Sequence, residues 1–431
     1  MKVTLILLNS WTAKSGNRFL QIRRGVYAPN MLRLLYSLTP KELNAEINVI
    51  DEDIEKLEID KIEADIVGIS VLTANAPRAY KIATFLRQKG IIVVLGGQHP
   101  TLLPEEASQY ADAILIGFAE NAWPKLLIDL KNGKLQKQYQ MPWEETFQSN
   151  FPALPKFKKY SKKYLLPFSI EGTRGCLNSC KFCIVPGQCS NKLIKRPIQH
   201  IIKEIKDSEV KRIVFLDPGP TEDLIYAKNL YRALIPLKIK WFSCASMKVA
   251  QDDEWLDLAA RSGCQGLLIG FESINPQSLL SEGKYFNKTE TYVDFIKKLH
   301  KKNILVLGCF IFGFDEDSNA IFKETVEFVN KAKIDIVHYS ILTPFPGTME
   351  FQRLNIEGRI LTKDWSRFDG TNVVFQPKKM TAEELLKGYH DAYNKTHSLY
   401  SIFKRQGFRR KNFLIRIMVN LGFKFYGKKR V

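Results

Sequence analysis

Short apolar runs alternate with helix-length amphipathic stretches along most of this chain, in two successive series. The first series has apolar runs at residues 3–8, 47–50, 65–73, 91–97 and 113–117, with helical patterns between them at 77–89 and 121–130. Runs of this kind are strands buried on both faces, and helical spacers make such strands parallel. Residues 1–135 are therefore expected to form an open α/β sheet of Rossmann type. Ligands of such sheets bind at the carboxyl ends of the strands. Those ends are Asn9-Ser10, Ser70-Val71-Leu72-Thr73, Gly96 to Thr101 and Gly117 to Glu120, all rich in glycine or small polar residues. The opening Met1 to Trp11 reads as a first strand rather than a signal peptide. Residues 136–164 have no clear period, carry Pro142, Pro152 and Pro155, and read as a linker.

A second series follows, with strand-like runs at 166–171, 212–217, 240–245, 266–272, 304–312 and 336–342 and helical patterns at 197–207, 253–262 and 289–302. Six such units predict a partial (β/α)6 barrel of TIM type over 165–348. Residues 349–431 form a mainly helical C-terminal extension, with a helix expected over 382–404. No apolar run approaches the roughly 20 residues that cross a bilayer.

The chain has 431 residues and a formal net charge of +19. A charge of this size points to an acidic partner: nucleic acid, an anionic membrane or a phosphorylated ligand. Ten Lys and Arg and no Asp or Glu lie in residues 401–431, which leaves only +9 for the other 400. Phe403, Phe408, Phe413, Phe423, Phe425 and Tyr426 are interleaved with them. A basic amphipathic segment of this kind fits an anionic bilayer. A helix packed on the barrel, or RNA held by phosphate contacts and stacking, stays open as an alternative.

Seven cysteines at low density argue against a secreted disulfide framework and for an intracellular chain. Three of them, Cys176, Cys180 and Cys183, form a CxxxCxxC motif directly after the first barrel strand. Zinc sites usually offer two separated ligand pairs, often with histidine. Three thiolates on one loop suit a [4Fe–4S] cluster with one iron left open. Cys189, Cys244, Cys264 and Cys309 read as packing residues.

The motif resembles the cluster loop of radical S-adenosylmethionine enzymes, including the aromatic Phe182 before the last cysteine. The resemblance implies that the open iron chelates S-adenosylmethionine. The reduced cluster then cleaves it to a 5′-deoxyadenosyl radical that abstracts hydrogen from an unactivated carbon. It also implies contacts to S-adenosylmethionine from Phe182, Asp217, Gly219, Ser243, Ser246, Glu272 and Gly313. The first 130 residues resemble the cobalamin-binding domain that precedes the barrel in one class of these enzymes. The implied cobalamin contacts are Ser70, Leu72, Thr73, Gly96, Gly97, His99, Thr101, Gly117 and Glu120. No DxHxxG motif is present, so a corrinoid without a histidine on its lower face is implied. The extension resembles that of the subgroup containing the hopanoid methylases, through Asp364-Trp365, Phe368-Asp369-Gly370 and Pro377 to Met380.

The expectation is therefore a cobalamin-dependent radical C-methyltransferase acting on a hydrophobic lipid or polycyclic substrate. Electrons would come from a flavodoxin or ferredoxin. Its expected place is the cytoplasm, with a peripheral position on the inner face of the membrane left open, and no nucleic-acid partner. Non-methylating cyclisation, ring rearrangement or oxygenation by the same cofactors stays open. RNA modification is the weaker alternative, because the methylthiotransferases that share the motif carry three further cysteines and residues 1–175 contain none. A non-catalytic binding protein would need none of the three motif cysteines.

Overall fold

The computed structural model describes residues 1–9, 25–406 and 413–427. Ser10, the rest of the first βα turn, Phe408 and the basic residues 409–411 and 428–430 lie outside the described residues, as do the side chains of Phe425 and Tyr426. The strands in chain order are β1 (Lys2–Leu7), β2 (Gly25–Tyr27), β3 (Glu46–Asp51), β4 (Ile66–Ser70), β5 (Ile92–Gly96), β6 (Ala113–Ile116), β7 (Gln138–Gln140), β8 (Tyr164–Leu166), β9 (Ser169–Ile170), β10 (Thr173–Gly175), β11 (Leu193–Lys195), β12 (Arg212–Phe215), β13 (Lys240–Ala245), β14 (Cys264–Glu272), β15 (Leu305–Phe312) and β16 (Ile336–Ile341).

Two six-stranded parallel sheets organise them. The first runs β3-β1-β4-β5-β6-β7. Its order reverses at β1, so a crevice opens at the carboxyl ends of the central strands, where such sheets bind ligands. The second runs β16-β15-β14-β13-β12-β9. Its neighbours follow chain order, as the staves of a βα barrel do, and β9 and β16 form its two unpaired ends. Along β15, Val306, Gly308, Phe310 and Phe312 are buried under the helices, while Leu305, Leu307, Cys309 and Ile311 stay partly open toward the barrel interior. Alternation of this kind is the signature of a sheet with one face unfilled.

Residues 136–164, expected to be a linker, carry regular structure. They contribute β7 at the edge of the first sheet, the helices Glu144–Ser149 and Lys158–Lys163, and the start of β8, which pairs with β2. β7 buries only Tyr139 between two exposed glutamines, so it leaves no apolar run in the sequence. This stretch also ties the two sheets together. Arg33, buried in the helix Met31–Leu38, donates Nε to Pro155 O (2.8 Å) and Nη1 to Ser169 O (3.1 Å), with its guanidinium over the Phe168 ring. The helix expected over 382–404 is two helices, Ala382–Thr396 and Leu399–Gln406, the first opened by a Thr381–Glu384 capping box. It packs on the outside of β16, where Tyr339 and Thr396 hydroxyls meet at 2.8 Å.

Candidate active site at the junction of the two sheets

The cysteine loop leaves β10 and is gripped from both sides. Asp217, fully buried at the end of β12, accepts hydrogen bonds from Gly172 N (3.0 Å), Thr173 Oγ1 (2.7 Å) and Thr173 N. Burial raises this carboxyl to about 6 against the pull of those donors. Gly175 has φ +89°, and a Cβ there would collide with the Lys192 carbonyl, so glycine is required. A Cβ on Gly219 would stand 3.0 Å from Gly175 O and 3.4 Å from Cys176 Cα. On the other side, Lys181 N donates to Glu282 O (3.2 Å), and Glu350 N donates to Lys181 O (3.0 Å).

Cys176, Cys180 and Cys183 are free thiols, each partly open. Asn178 donates to Cys176 Sγ through its backbone N (3.5 Å) and Nδ2 (3.3 Å). Asn178 Nδ2 also reaches Glu222 Oε1 (2.8 Å), and Glu222 is paired with Lys248 (2.6 Å). Burial pushes the Cys180 thiol up to about 12, so its thiolate needs positive charge of the kind iron supplies. Among the described residues no three His, Cys, Asp or Glu converge to hold a single ion. Three thiols close enough to feel one another's charge, yet not converging, fit a cluster in which each cysteine serves its own iron.

Glu272 ends β14 at a bulge, with φ +60°. Its carboxylate pairs with Lys284, whose Nζ also donates to Gly270 O (3.1 Å). Desolvation opposes the Lys284 charge, but Glu272 and the thiols of Cys180 and Cys183 outweigh it and hold its pKa above the ordinary value. Lys284, Asn178, Glu222 and Lys248 were not among the residues expected from the sequence. Asn178 lies inside the cysteine motif, whereas Glu222, Lys248 and Lys284 come from segments far apart in the chain and follow no motif.

The other expected positions divide. Phe182 packs against Phe314, with ring centroids 5.9 Å apart, beside the cysteine loop. Ser246 is bound to Thr221 (Oγ–Oγ1 3.1 Å, N–Oγ1 3.0 Å). Ser243 lies on the helix-covered face of β13, buried with its Oγ unbonded, because strand parity gives the interior face to Phe242 and Cys244. Gly313, with φ +103°, faces Leu385 of the extension, which a Cβ would approach to 2.8 Å. It is not turned into the barrel.

In the first sheet a cavity of about 230 Å³ opens at the strand ends. Ser70, Gly96, Gly97, Thr101 and Gly117 line it, together with Trp123, Leu115 and Arg174. Gly97 has φ +100°, and its Cβ position lies 3.1 Å from the Val71 backbone. Thr101 Oγ1 donates to Gly97 O (2.7 Å) and accepts from Gly117 N (3.0 Å), tying two strand-end loops together. Such a glycine-walled, largely apolar recess fits a flat or heterocyclic portion of a corrinoid. Leu72, Thr73, His99 and Glu120 do not line it. Leu72 lies on the surface, and Thr73 is buried beside it.

His99 is fully buried, with Nε2 3.2 Å from Glu106 Oε1. Glu106 also accepts from Tyr80 OH (2.9 Å) and from Trp365 Nε1 of the extension (3.0 Å). His99 thus holds the extension and does not face the cavity. Cobalt(II) spectra of the corrinoid-loaded protein are expected to be unchanged in His99→Ala. A change in nitrogen splitting on that substitution, read by electron paramagnetic resonance, would make His99 a cobalt ligand after all.

Glu120 meets Arg174, two residues before Cys176. Arg174 pairs with Glu120 and with Glu171 (2.7 Å). Its guanidinium sits over Phe118 (4.6 Å) and Phe147 (4.4 Å), with Trp143 and Phe151 at 5.5 and 5.7 Å. One side chain therefore fastens the cysteine loop to the loops of the first sheet. Leu102, from the helix Gln98–Leu102, makes a second fastening against Gly187 and Gly347.

Two family profiles match the chain, the B12 binding domain over residues 39–127 and the Radical SAM superfamily over residues 170–329. Together with the geometry they define a radical S-adenosylmethionine enzyme with a cobalamin-binding domain ahead of its barrel. The bacteriochlorophyllide d C-12(1)-methyltransferase of Chlorobaculum tepidum is 33% identical over 357 residues, covering 79% of this chain and 76% of that protein. The hopanoid C-2 methylase of Rhodopseudomonas palustris is 23% identical, covering 78% and 66%. Among solved structures, the radical S-adenosylmethionine methyltransferase TsrM from Kitasatospora setae shares the fold, with a TM-score of 0.66 at 16% identity over 83% of this chain and 78% of TsrM. The chain belongs to the cobalamin-dependent radical S-adenosylmethionine methyltransferases, whose cofactors are a [4Fe–4S] cluster, S-adenosylmethionine and cobalamin.

Proposed function

We propose that this enzyme methylates an unactivated carbon of a hydrophobic polycyclic or lipid substrate taken into the barrel interior. The observation that carries the reading is Leu268. It sits mid-strand in β14, flanked by β13 and β15, yet 38% of it is exposed. A central-strand leucine stays open only where the interior is unfilled, and its neighbours there are Leu307, Cys309 and Cys244. An apolar interior suits an apolar ligand. The names of the bacteriochlorophyllide and hopanoid relatives agree with that class.

When bound, the cluster, S-adenosylmethionine and cobalamin supply the radical and the methyl group. The chain's part is to hold and align them. Cys176, Cys180 and Cys183 would hold the cluster, with the Asn178 amides bonded to the Cys176 sulfur. Phe182 in that loop, and Gly219 and Glu272 beside it, would hold S-adenosylmethionine, with Lys284 fixing the Glu272 carboxylate. Asp217 and Ser246 brace the loops behind. The Ser70, Gly96, Gly97, Thr101 and Gly117 walls would hold the corrinoid, and Arg174 sets its distance from the cluster. An external flavodoxin or ferredoxin type of protein supplies electrons, and no nucleic acid takes part.

The test is an anaerobic assay of reconstituted enzyme with methyl-labelled S-adenosylmethionine against chlorophyllide-like and hopene-like substrates. Labelled methyl in one of these products supports the reading. 5′-Deoxyadenosine formed with every substrate and label in none would overturn it. Lys284→Met should leave Glu272 as an uncompensated, nearly buried charge, costing about 3–5 kcal/mol. Cleavage of S-adenosylmethionine should fall more than about tenfold, with partial rescue by Lys284→Arg. Unchanged cleavage by Lys284→Met would remove Lys284 from the site.

A further inference from the structure

The last described helix, Phe413–Gly427, is mounted with its polar side inward. Arg416 is 4% exposed and pairs with the fully buried Asp335 (2.9 Å). Asn420, also fully buried, donates to Asp335 O (2.9 Å) and accepts from Arg405 Nη2 (3.1 Å). Gln406 donates to the same carbonyl (2.7 Å), and Tyr393 OH donates to Phe423 O (2.6 Å). A buried ion pair with several hydrogen bonds has strict geometry, so it fixes the rotation of the helix about its own axis. At about 100° per residue, Leu414, Met418 and Leu421 fall on the opposite side. Leu414 is 73% exposed and Met418 62%.

A helix that buries its arginine and asparagine while turning leucine and methionine outward is arranged for contact with something apolar. The charge around it says what. Residues 401–431 hold ten Lys and Arg and no acidic residue. Arg405 and Arg416 are used inside the fold, which leaves eight cations and no acidic partner within the segment. Two copies of such a surface repel each other. RNA would be met by aromatic faces for stacking, whereas the exposed large side chains described on this helix, Leu414 and Met418, are aliphatic. Among the described residues no helix is long and apolar enough to cross a membrane, so contact would be at its surface.

We propose that this helix docks the enzyme on an anionic lipid bilayer, with Leu414 and Met418 among the acyl chains, and that the net positive charge of residues 401–431 favours anionic over neutral headgroups. The proposal gives the hydrophobic-substrate reading a place where substrate is met, and in that sense it rests on it. The binding itself is measured without substrate, so its failure leaves the methyl-transfer reading intact.

The experiment is cosedimentation of the full-length holoenzyme with phosphatidylcholine vesicles, with and without phosphatidylglycerol. Binding to the anionic vesicles is expected to exceed that to neutral ones by at least about tenfold and to fall with salt. Leu414→Glu/Met418→Glu should reduce it by about tenfold or more, with the same melting curve and the same S-adenosylmethionine cleavage as wild type, because both side chains are exposed. Leu414→Ala/Met418→Ala should lie between. Absence of vesicle binding, equal binding by the Glu variant, or equal binding to neutral vesicles would overturn the proposal. So would self-association abolished by the Glu variant, or RNA binding, in a protein that ignores vesicles.

Discussion

Cys176→Ala, Cys180→Ala and Cys183→Ala should each yield a folded protein that has lost its iron–sulfur absorption and cleaves S-adenosylmethionine only at background rate. The fold should survive because other groups hold the loop. Asp217 binds the Gly172-Thr173 backbone, Gly219 closes on Cys176, and Glu282 and Glu350 bind the Lys181 backbone. The chemistry should not survive, because no spare ligand is in place. Cys189 is the nearest alternative in sequence, but it is buried, whereas each of the three motif cysteines is partly open. Cys189→Ala should therefore keep colour and activity. Iron analysis and 5′-deoxyadenosine quantification read the result. Iron and cleavage retained by any of the three single variants would mean that the loop does not carry the cluster.

Arg174→Met should have the second largest effect, and it acts at a distance from any reacting atom. The substitution leaves Glu120 buried without its cation. Burial already holds that carboxyl above its ordinary range, with Arg174 as the main opposing influence. Breaking a buried pair from one side costs about 3–5 kcal/mol. It also empties the aromatic box of Phe118, Trp143, Phe147 and Phe151, two residues from the cluster loop. The midpoint of unfolding should fall, and corrinoid retention on gel filtration should weaken more than iron content does. Adding Glu120→Gln should restore a large part of the stability, because the orphaned charge is then gone. The double variant should still bind corrinoid poorly, since the tie between the two units is missing. Equal corrinoid retention by wild type and Arg174→Met would show that the tie does not serve cofactor alignment.

The two sheets were legible in the sequence because their parallel strands carry apolar residues on both faces and so leave unbroken apolar runs. β1, β3 to β6 and β12 to β16 lie where those runs lie. β2, β7, β8, β10 and β11 were not, being three residues long and paired by tertiary context rather than by hydropathy. The cysteine motif was legible because spacing and residue type are both local. Glycines of the strand-end loops were legible for the same reason. Arg174, Lys284 and Glu222 were not, because each acquires its meaning from partners 12 to 54 residues away. Ser243 and Gly313 show the opposite difficulty. Ser243 lies on β13 and Gly313 just past the end of β15, but strand parity and the close approach of Leu385 direct them away from the interior. His99 sits in the helix Gln98–Leu102, whose Gln98 and Thr101 line the cavity, while its ring serves Glu106 and Trp365.

One chain is expected to hold both a cluster and a corrinoid, the cysteine loop and the first-sheet recess being tied together by Arg174 and Glu120. The most direct test is the absorption spectrum and metal content of protein purified without oxygen, reconstituted with iron and sulfide, supplied with hydroxocobalamin and passed through a desalting column. About four iron and one cobalt per chain are expected, with corrin bands and iron–sulfur charge transfer in the same spectrum. Iron without cobalt, or cobalt without iron, would contradict it.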